Sequence, residues 1–518
     1  MWPTLILLAL YAVIYVSFAV RLIGFPYELD QGEGYDAWSA WLIAQGKLPY
    51  TDNTTYPYYS SNYPPVWSAL VAVPMQWTGP TLAAGRAVST ISALLAALLI
   101  GLAAARLARR ELAGRWPTLA GLLAAGFFLA SPYVFHTTAL ARVNSLALLF
   151  AVAALSLVAT PTRFRVAMCG LALLAGLFTK PTVVDAAVAC LAFLLVAQPG
   201  RRIATAVAGL AMLALVAWVF SATAANGAYW LNVFAANVNP FDLDELAKYI
   251  VNFCGIHAVL LYLAGSEAVA AIRSRAWSPW VIYLPLAAVM GLGVGKWGAG
   301  ESYLLGVIAA TSVLAAVRVV RGFAPHDVGD AGHAQLVTPE TPANGTPRTY
   351  LARIRPALTL TLSQRERGLV MGATLVVQML LLAHGAVSGV VPWLPDLGRQ
   401  ADFLGRTPTV EDRVNGDAIV ALLQGGDGPV LSEAPSFVLA AGRPIVGNAT
   451  QLRNLHEADL WDPTNLVADV RARRFDAIVL NAQLYPAPVL SAIGRSYYLA
   501  HVIRVGPASY QVFFPGGD

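Results

Sequence analysis

The first 38 residues contain the pattern that decides the fold class. Residues 4–24 read TLILLALYAVIYVSFAVRLIG, and residues 25–38, FPYELDQGEGYDAW, follow at once. An apolar segment of about 20 residues is long enough to cross the hydrocarbon core of a bilayer as a helix. The acidic and aromatic stretch after it predicts a polar loop at the membrane surface.

The composition of the whole chain indicates the same class. Of its 518 residues, 57% are hydrophobic and 12% are charged. Soluble globular proteins carry about twice that charged fraction, because charge covers their water-facing surface. The sequence therefore predicts a polytopic α-helical membrane protein. Its net charge of +5 is too small to indicate nucleic-acid binding.

Apolar segments recur along the chain and predict about eleven transmembrane helices. The predicted spans are Thr4–Gly24, Leu82–Ala105, Pro117–Phe135, Ser145–Ala159, Val166–Thr179, Val183–Val196, Ile203–Ala224, Ile250–Ala271, Trp280–Gly295, Tyr303–Val320 and Leu369–Val391. Arginines cluster in alternate connecting loops, which are therefore predicted to be cytoplasmic. With an odd number of spans, the first loop, the Asn226–Tyr249 loop and the C-terminal tail lie on the outer face.

The chain divides into regions of different composition. The predicted regions are a membrane domain of residues 1–321 with a first outer loop of residues 25–81, an insertion of residues 322–368, a last transmembrane helix of residues 369–392 and a domain of residues 393–518. The insertion is polar and lacks an apolar period, which predicts a disordered cytoplasmic segment. In the last region, strand candidates such as PVLSEAPSFVLAAGRPIV (429–446) alternate with helical patterns such as VEDRVNGDAIVALLQ (410–424). This alternation predicts a small extracytoplasmic α/β domain.

The first outer loop combines two short helices with an acidic cluster. Segments Gly34–Gln45 and Tyr63–Gly79 are predicted to lie along the membrane interface as amphipathic helices. If the first of them begins at Asp30, then Asp30 and Glu33 share one face and point together into a cavity, where either is able to act as a general base. The alternative is a capping box, in which the D-x-x-E pattern only closes the start of a helix.

Basic residues near the outer face are few. The candidates are Arg86, Arg142, Lys180 and Lys296. A single Lys or Arg at a helix end commonly snorkels to lipid headgroups. Four of them opposite an acidic loop instead favour a phosphate-binding site beside a general base. The segment Asn62–Pro65 adds a polar pair held rigidly by two prolines at the start of a helix.

Five motifs occur along the chain in a recognisable order. They are ELDQGEGYDAW (28–38), NYPPVW (62–67), ARVNSLAL (141–148), LFTKPT (177–182) and NVNPFDLDEL (237–246). This series resembles that of polytopic GT-C glycosyltransferases, and most closely that of bacterial relatives of the protein mannosyltransferases and of the lipid A aminoarabinose transferase. The resemblance covers nearly all of the membrane region.

The resemblance implies transfer of a sugar, with inversion, from a polyprenyl-phosphate donor to an envelope lipid, glycan or protein at the outer face of a bacterial cytoplasmic membrane. It implies Asp30 or Glu33 as the base and the four cations as donor-phosphate ligands. The motifs add as substrate-binding candidates Asn62, Tyr63, Asn144, Asn237 and Asn239. Many relatives carry Lys in place of Tyr63, so one phosphate ligand is missing here. Many also carry Asp in place of Asn144, so whether a divalent cation binds stays open.

Two other classes of function stay open. A lipid-linked sugar carrier or flippase predicts internal repeats and a charged site at the membrane midplane, whereas the charges here lie at the outer face. A non-catalytic scaffold for the C-terminal domain leaves the acidic loop unexplained. A transferase consumes its lipid-linked sugar and a flippase moves it unchanged, so product formation distinguishes them.

Overall fold

The N-terminal part of the chain is almost wholly helical. In the computed structural model, the described residues are 1–197, 201–324, 364–386 and 407–516. The helices are α1 (Trp2–Ile23), α2 (Gly32–Ala44), α3 (Pro65–Thr78), α4 (Leu82–Ala108), α5 (Trp116–Leu129), α6 (Pro132–Thr138), α7 (Asn144–Val158), α8 (Arg163–Leu177), α9 (Val184–Ala197), α10 (Arg201–Thr223), α11 (Ala228–Val233), α12 (Leu243–Ile256), α13 (Ala258–Arg273), α14 (Pro279–Gly291), α15 (Leu305–Phe323) and α16 (Gln364–Ala386).

Within the described residues, each predicted span coincides with a helix or with a pair of helices joined at a bend. Three segments are long and apolar enough to cross a bilayer by themselves, namely α1, α4 and residues 301–323. Three bent pairs raise that number to six, and shorter apolar helices such as α7 are further candidates. The chain is therefore a multi-pass membrane protein, and the count of eleven spans stays a prediction.

Two predicted continuous spans are wrong, because each is broken. The 117–135 segment bends by 65° between α5 and α6, and the 250–271 segment bends by 81° between α12 and α13. The first break precedes Pro132, which cannot donate a backbone hydrogen bond to continue α5. The second falls at His257, where the amphipathic helix α12, which begins outside the apolar segment, meets the apolar α13.

The two breaks are tied to each other and to α16. Ser131 Oγ and His257 Nε2 lie 2.9 Å apart, and both residues are buried. Gln378 of α16 accepts a hydrogen bond from Leu260 N at 3.0 Å and donates one to Ile256 O at 2.9 Å. Backbone groups that a helix break leaves without a partner must find one at membrane depth. The Gln378 side chain is the partner of two such groups at the second break.

The C-terminal region folds around a mixed sheet. Its elements are α17 (Val410–Leu423), β1 (Val430–Ser432), α18 (Pro435–Ala440), β2 (Ile445–Val446), α19 (Ala449–Glu457), α20 (Thr464–Arg471), β3 (Ala477–Leu480), α21 (Ala487–Ser496), β4 (Tyr497–Val505) and β5 (Ala508–Pro515). The strand order is β2-β1-β3-β5-β4. Strand β1 pairs in parallel with β2 and β3, and β5 pairs antiparallel with β3 and β4. The 429–446 strand candidate forms two strands separated by α18, which begins at Pro435.

This C-terminal domain packs directly on the first loop. The Tyr35 hydroxyl donates to Ser432 O at 3.0 Å, and Trp461 Nε1 donates to Asn53 O at 2.6 Å. The rings of Tyr27 and Phe437 lie 4.9 Å apart in an apolar cluster shared by both regions. The acidic loop is therefore held between the membrane helices and the sheet domain.

Three predicted boundaries fall partly outside the described residues. Helix α16 begins at Gln364, five residues before the predicted last span. Residues 325–363 of the predicted insertion, the end of the predicted last span from residue 387 and the first part of the predicted 393–518 domain up to residue 406 lie outside the described ranges.

Candidate active site

A cavity of about 720 Å³ lies where the first loop, the ends of the membrane helices and the C-terminal domain meet. Eight of the eleven predicted site residues line it: Asp30, Asn62, Tyr63, Arg142, Lys180, Asn237, Asn239 and Lys296. Asn144 does not line the cavity but accepts a hydrogen bond from Lys180, which does. Glu33 and Arg86 lie outside the cavity lining. The cavity thus brings together residues from five separate motifs.

Glu33 and Arg86 form a buried ion pair behind the cavity wall. Both side chains are 0% exposed, and Arg86 Nε lies 2.8 Å from Glu33 Oε1. Arg86 also donates to three backbone carbonyls between Leu22 and Tyr27. Because its guanidinium is fully engaged, the predicted role of Arg86 as a phosphate ligand does not fit this position.

Glu33 connects three parts of the site rather than facing it. Its carboxylate accepts from Leu29 N at 2.8 Å and from Ala141 N at 2.7 Å, in addition to Arg86. A carboxylate that accepts this many hydrogen bonds has no free lone pair directed at a substrate. These contacts fix the loop before α2 and the residue next to Arg142.

Asp30 lies just before the helix, which corrects the predicted shared face. Helix α2 begins at Gly32, and Asp30 Oδ1 accepts from Gly32 N at 2.7 Å. Glu33 in turn accepts from Asp30 N at 3.5 Å, which is one half of the predicted capping box, but the N-cap residue is Gln31 and its side chain does not cap the helix. The Asp30 side chain is nevertheless 45% exposed and lines the cavity, whereas that of Glu33 is buried.

Arg142 is the centre of a charged cluster. Its guanidinium lies 3.7 Å from Asp30 and 3.3 Å from Asp36, and it donates to the Tyr63 hydroxyl at 3.3 Å. Burial works against its charge, but the Asp30 and Asp36 carboxylates outweigh that effect and raise the pKa of Arg142. Arg142 is therefore a fixed cation on the cavity wall.

Asp36 has a role that the sequence did not reveal. Its side chain is 3% exposed, and burial raises its pKa to about 7, although Arg142 acts in the opposite direction. Asp36 contacts Arg142 from behind the cavity wall, and it is not one of the described residues that line the cavity. The pair holds the guanidinium in place.

Lys180 enters the cavity from the turn between α8 and α9. Its ammonium donates to Asn144 Oδ1 at 2.8 Å and to Ser302 Oγ at 3.3 Å, and it lies 4.7 Å from the centre of the Tyr303 ring. Burial lowers the pKa of this ammonium to about 7, and the nearby cations Arg142 and Lys296 act in the same direction. A bound anion would relieve both effects.

Lys296 is positioned by a loop that crosses the start of α12. Asp242 N donates to Gly295 O at 2.8 Å, which anchors this loop. Lys296 Nζ donates to Asn237 O at 2.6 Å, and Asn237 Nδ2 donates to Asn62 O at 3.2 Å. The two asparagines connect the later outer loop to the first one, and Lys296 completes the cationic side of the cavity.

His136 and Glu301 form a pair that sequence analysis missed. His136 Nδ1 lies 3.2 Å from Glu301 Oε2, and His136 lines the cavity. The two residues are 165 positions apart, so no local spacing indicates the pair. Within the described ranges, no group of three or more His, Cys, Asp or Glu side chains has the arrangement of a metal site. Binding of a divalent cation stays an open prediction.

No protein-family model and no curated protein gives a significant match to the sequence. Solved structures do resemble it. ArnT from Cupriavidus metallidurans bound to undecaprenyl phosphate superposes with a TM-score of 0.59 at 15% identity, covering 98% of this chain and 97% of that one. The apo state of ArnT gives a TM-score of 0.55 at 16% identity, covering 97% of each chain.

A weaker likeness is to the archaeal oligosaccharyltransferase AglB from Archaeoglobus fulgidus, with a TM-score of 0.47 at 11% identity, covering 96% of this chain and 74% of that one. The likeness to ArnT extends over both chains almost from end to end. The chain therefore shares the fold of ArnT, which agrees with the resemblance of its motifs to those of GT-C glycosyltransferases.

Proposed function

We propose that this protein is a glycosyltransferase that moves a sugar from a polyprenyl-phosphate donor to a hydroxyl group of an envelope acceptor, with inversion. The observation that carries the proposal is the composition of one cavity wall. An exposed carboxylate, Asp30, lies beside three cations, Arg142, Lys180 and Lys296. The fold shared with ArnT supports a lipid-phosphate donor.

In the proposed reaction, Asp30 is the general base. It takes the proton of the acceptor hydroxyl while that oxygen forms a bond to the anomeric carbon of the sugar. The bond between this carbon and the phosphate oxygen breaks, and the polyprenyl phosphate leaves with the electron pair. Attack from the side opposite the phosphate inverts the anomeric centre.

The cations stabilise the charge that develops on the leaving phosphate. Fixed donors that are already directed at the leaving group need little reorganisation when this charge develops. Arg142 is held by Asp36, and Lys180 is held by Asn144, so both are arranged before the donor binds. Glu33 and Arg86 are positioning residues in this mechanism, since they hold the loop that carries Asp30.

We place this site on the outer face of a bacterial cytoplasmic membrane, because the arginine-rich loops are predicted to be cytoplasmic. The C-terminal domain, which closes the cavity, then also lies outside. This orientation gives the enzyme access to envelope lipids, glycans or proteins as acceptors.

Complementation of a deletion strain tests the proposal. Cells lacking the protein should accumulate one sugar-loaded polyprenyl phosphate and lose one sugar from an envelope component, as measured by mass spectrometry. Wild type and Asp52→Asn should restore both, because Asp52 is an exposed carboxylate of the same loop that accepts hydrogen bonds from Thr54 and does not line the cavity as the described residues form it. Asp30→Asn should not. Full restoration by Asp30→Asn, or unchanged lipid-linked sugars in the deletion strain, would contradict it.

A further inference from the structure

The roof of the cavity is built by the C-terminal domain and differs in chemistry from the floor. The roof residues are Asn448, Thr450, Asn454 and Leu484, and all four are uncharged. The floor is the part of the cavity that carries Asp30, Arg142, Lys180 and Lys296. Its three cations suit a lipid phosphate. The roof therefore faces a second, neutral group.

A loop on the opposite side brings an indole to the same place. Trp297 lines the cavity, and its carbonyl accepts from Asn239 Nδ2 at 2.8 Å. The guanidinium of Arg453, on α19, lies 4.8 Å from the centre of the Trp297 ring. Helix α19 and the Trp297 loop thus form two sides of one groove, whose parts hold each other in place.

Two amide oxygens in this groove have no hydrogen-bond partner among the described residues. They are Asn454 Oδ1 and Asn239 Oδ1, and both atoms are buried from solvent. Leaving a buried acceptor without a hydrogen-bond partner is unfavourable. Such acceptors, in residues that line a cavity, are suited to donors from a bound molecule.

The groove also adjoins the proposed base. Thr450 Oγ1 donates to Gln31 Oε1 at 3.4 Å, and Gln31 Nε2 donates to Glu433 O at 3.1 Å. Gln31 follows Asp30 directly in the sequence and also lines the cavity. The roof is therefore connected to the loop that carries Asp30, and both line the same cavity.

We propose that this groove is an acceptor subsite for a neutral, hydroxyl-rich carbohydrate, bound between the Asn448–Asn454 segment and Trp297. The inference rests on the proposed glycosyltransferase function and names its acceptor class. Asparagine amides and a threonine hydroxyl both donate and accept hydrogen bonds, as sugar hydroxyls require. The indole offers an apolar, polarizable surface to the C–H groups of a sugar ring.

Binding of the full-length protein in lipid nanodiscs to an array of neutral hexose and pentose oligosaccharides tests this subsite. Wild type should bind at least one oligosaccharide. Asn454→Leu and Trp297→Ala should weaken that binding by at least tenfold. The matched control is Gln424→Leu, an exposed amide of the same domain that does not line the cavity, and it should bind as wild type does.

Binding of undecaprenyl phosphate by wild type and Asn454→Leu separates the possible failures. Wild type that binds the lipid phosphate but no neutral oligosaccharide, or that binds neutral peptides on a parallel array instead, overturns the carbohydrate subsite and leaves the proposed function standing. Variants that bind the oligosaccharide as wild type does also overturn it. Wild type that binds no undecaprenyl phosphate contradicts the proposed function itself.

Discussion

Replacing two neighbouring carboxylates, Glu33 and Asp30, by their amides should have different effects. The first replacement should lower stability, and the second should lower activity. Glu33→Gln removes the charge that faces Arg86, and both side chains are 0% exposed. Breaking a buried ion pair by removing one partner costs about 3–5 kcal/mol, because the remaining charge is left without compensation. Glu33→Gln should therefore lower the thermal unfolding temperature markedly.

Asp30→Asn should leave stability almost unchanged. Asp30 is partly exposed and accepts from Gly32 N, and the amide oxygen of an asparagine is able to accept the same hydrogen bond. Its loss as a proton acceptor should slow sugar transfer by about 10²–10⁴-fold.

Thermal unfolding followed by tryptophan fluorescence, together with transfer measured by mass spectrometry, reads out both effects in nanodiscs. Glu245→Gln is the control, because Glu245 pairs with Lys248 on the protein surface and should affect neither measurement. A stable but inactive Glu33→Gln protein, combined with an active Asp30→Asn protein, would refute this reasoning and assign the base to Glu33.

Further predictions concern the cation site, the helix break and the topology. Since burial lowers the pKa of Lys180 to about 7, the ammonium loses its charge as pH rises through that value. Affinity for undecaprenyl phosphate, measured from pH 6 to 9, should therefore fall in wild type. In Lys180→Arg the side chain stays charged, so the affinity should change much less. The lipid phosphate titrates in the same way in both measurements, so the difference between them reports Lys180. Gln378→Leu leaves two buried backbone groups without their side-chain partner, so it should lower the unfolding temperature, whereas a wild-type temperature would show that the break needs no such partner. The topology is tested with single cysteines in a cysteine-free background. A cysteine at the 54%-exposed Tyr498 should react with an impermeant thiol reagent after the outer barrier is permeabilised, whereas one at the exposed Ala113 should not. The reverse pattern would invert the proposed topology.

Local patterns in the sequence predicted the helices well. The apolar segment at residues 4–24 and the proline-started helix at Pro65 both appear, because hydrophobic length and turn chemistry are properties of adjacent residues. The motif series also identified most of the cavity. Seven residues from the five motifs line it, together with Lys296, even though the motifs are far apart in the chain.

Long-range pairing was not predictable in the same way. Glu33 and Arg86 are 53 residues apart, and nothing in the local spacing shows that they neutralise each other rather than face a substrate. The same holds for Ser131 and His257, whose contact joins two broken helices. The C-terminal roof was missed because an α/β pattern predicts a domain but not the surface on which it docks.

Consumption of the lipid-linked sugar is the most direct test of the proposed transferase. The purified protein in nanodiscs would be incubated with sugar-loaded polyprenyl lipids and envelope extract from the deletion strain, and both lipid forms would be quantified by mass spectrometry. The proposal predicts that free polyprenyl phosphate appears in step with glycosylated acceptor, and that Asp30→Asn abolishes both. Lipid-linked sugar that remains intact, or that only changes leaflet, would contradict it.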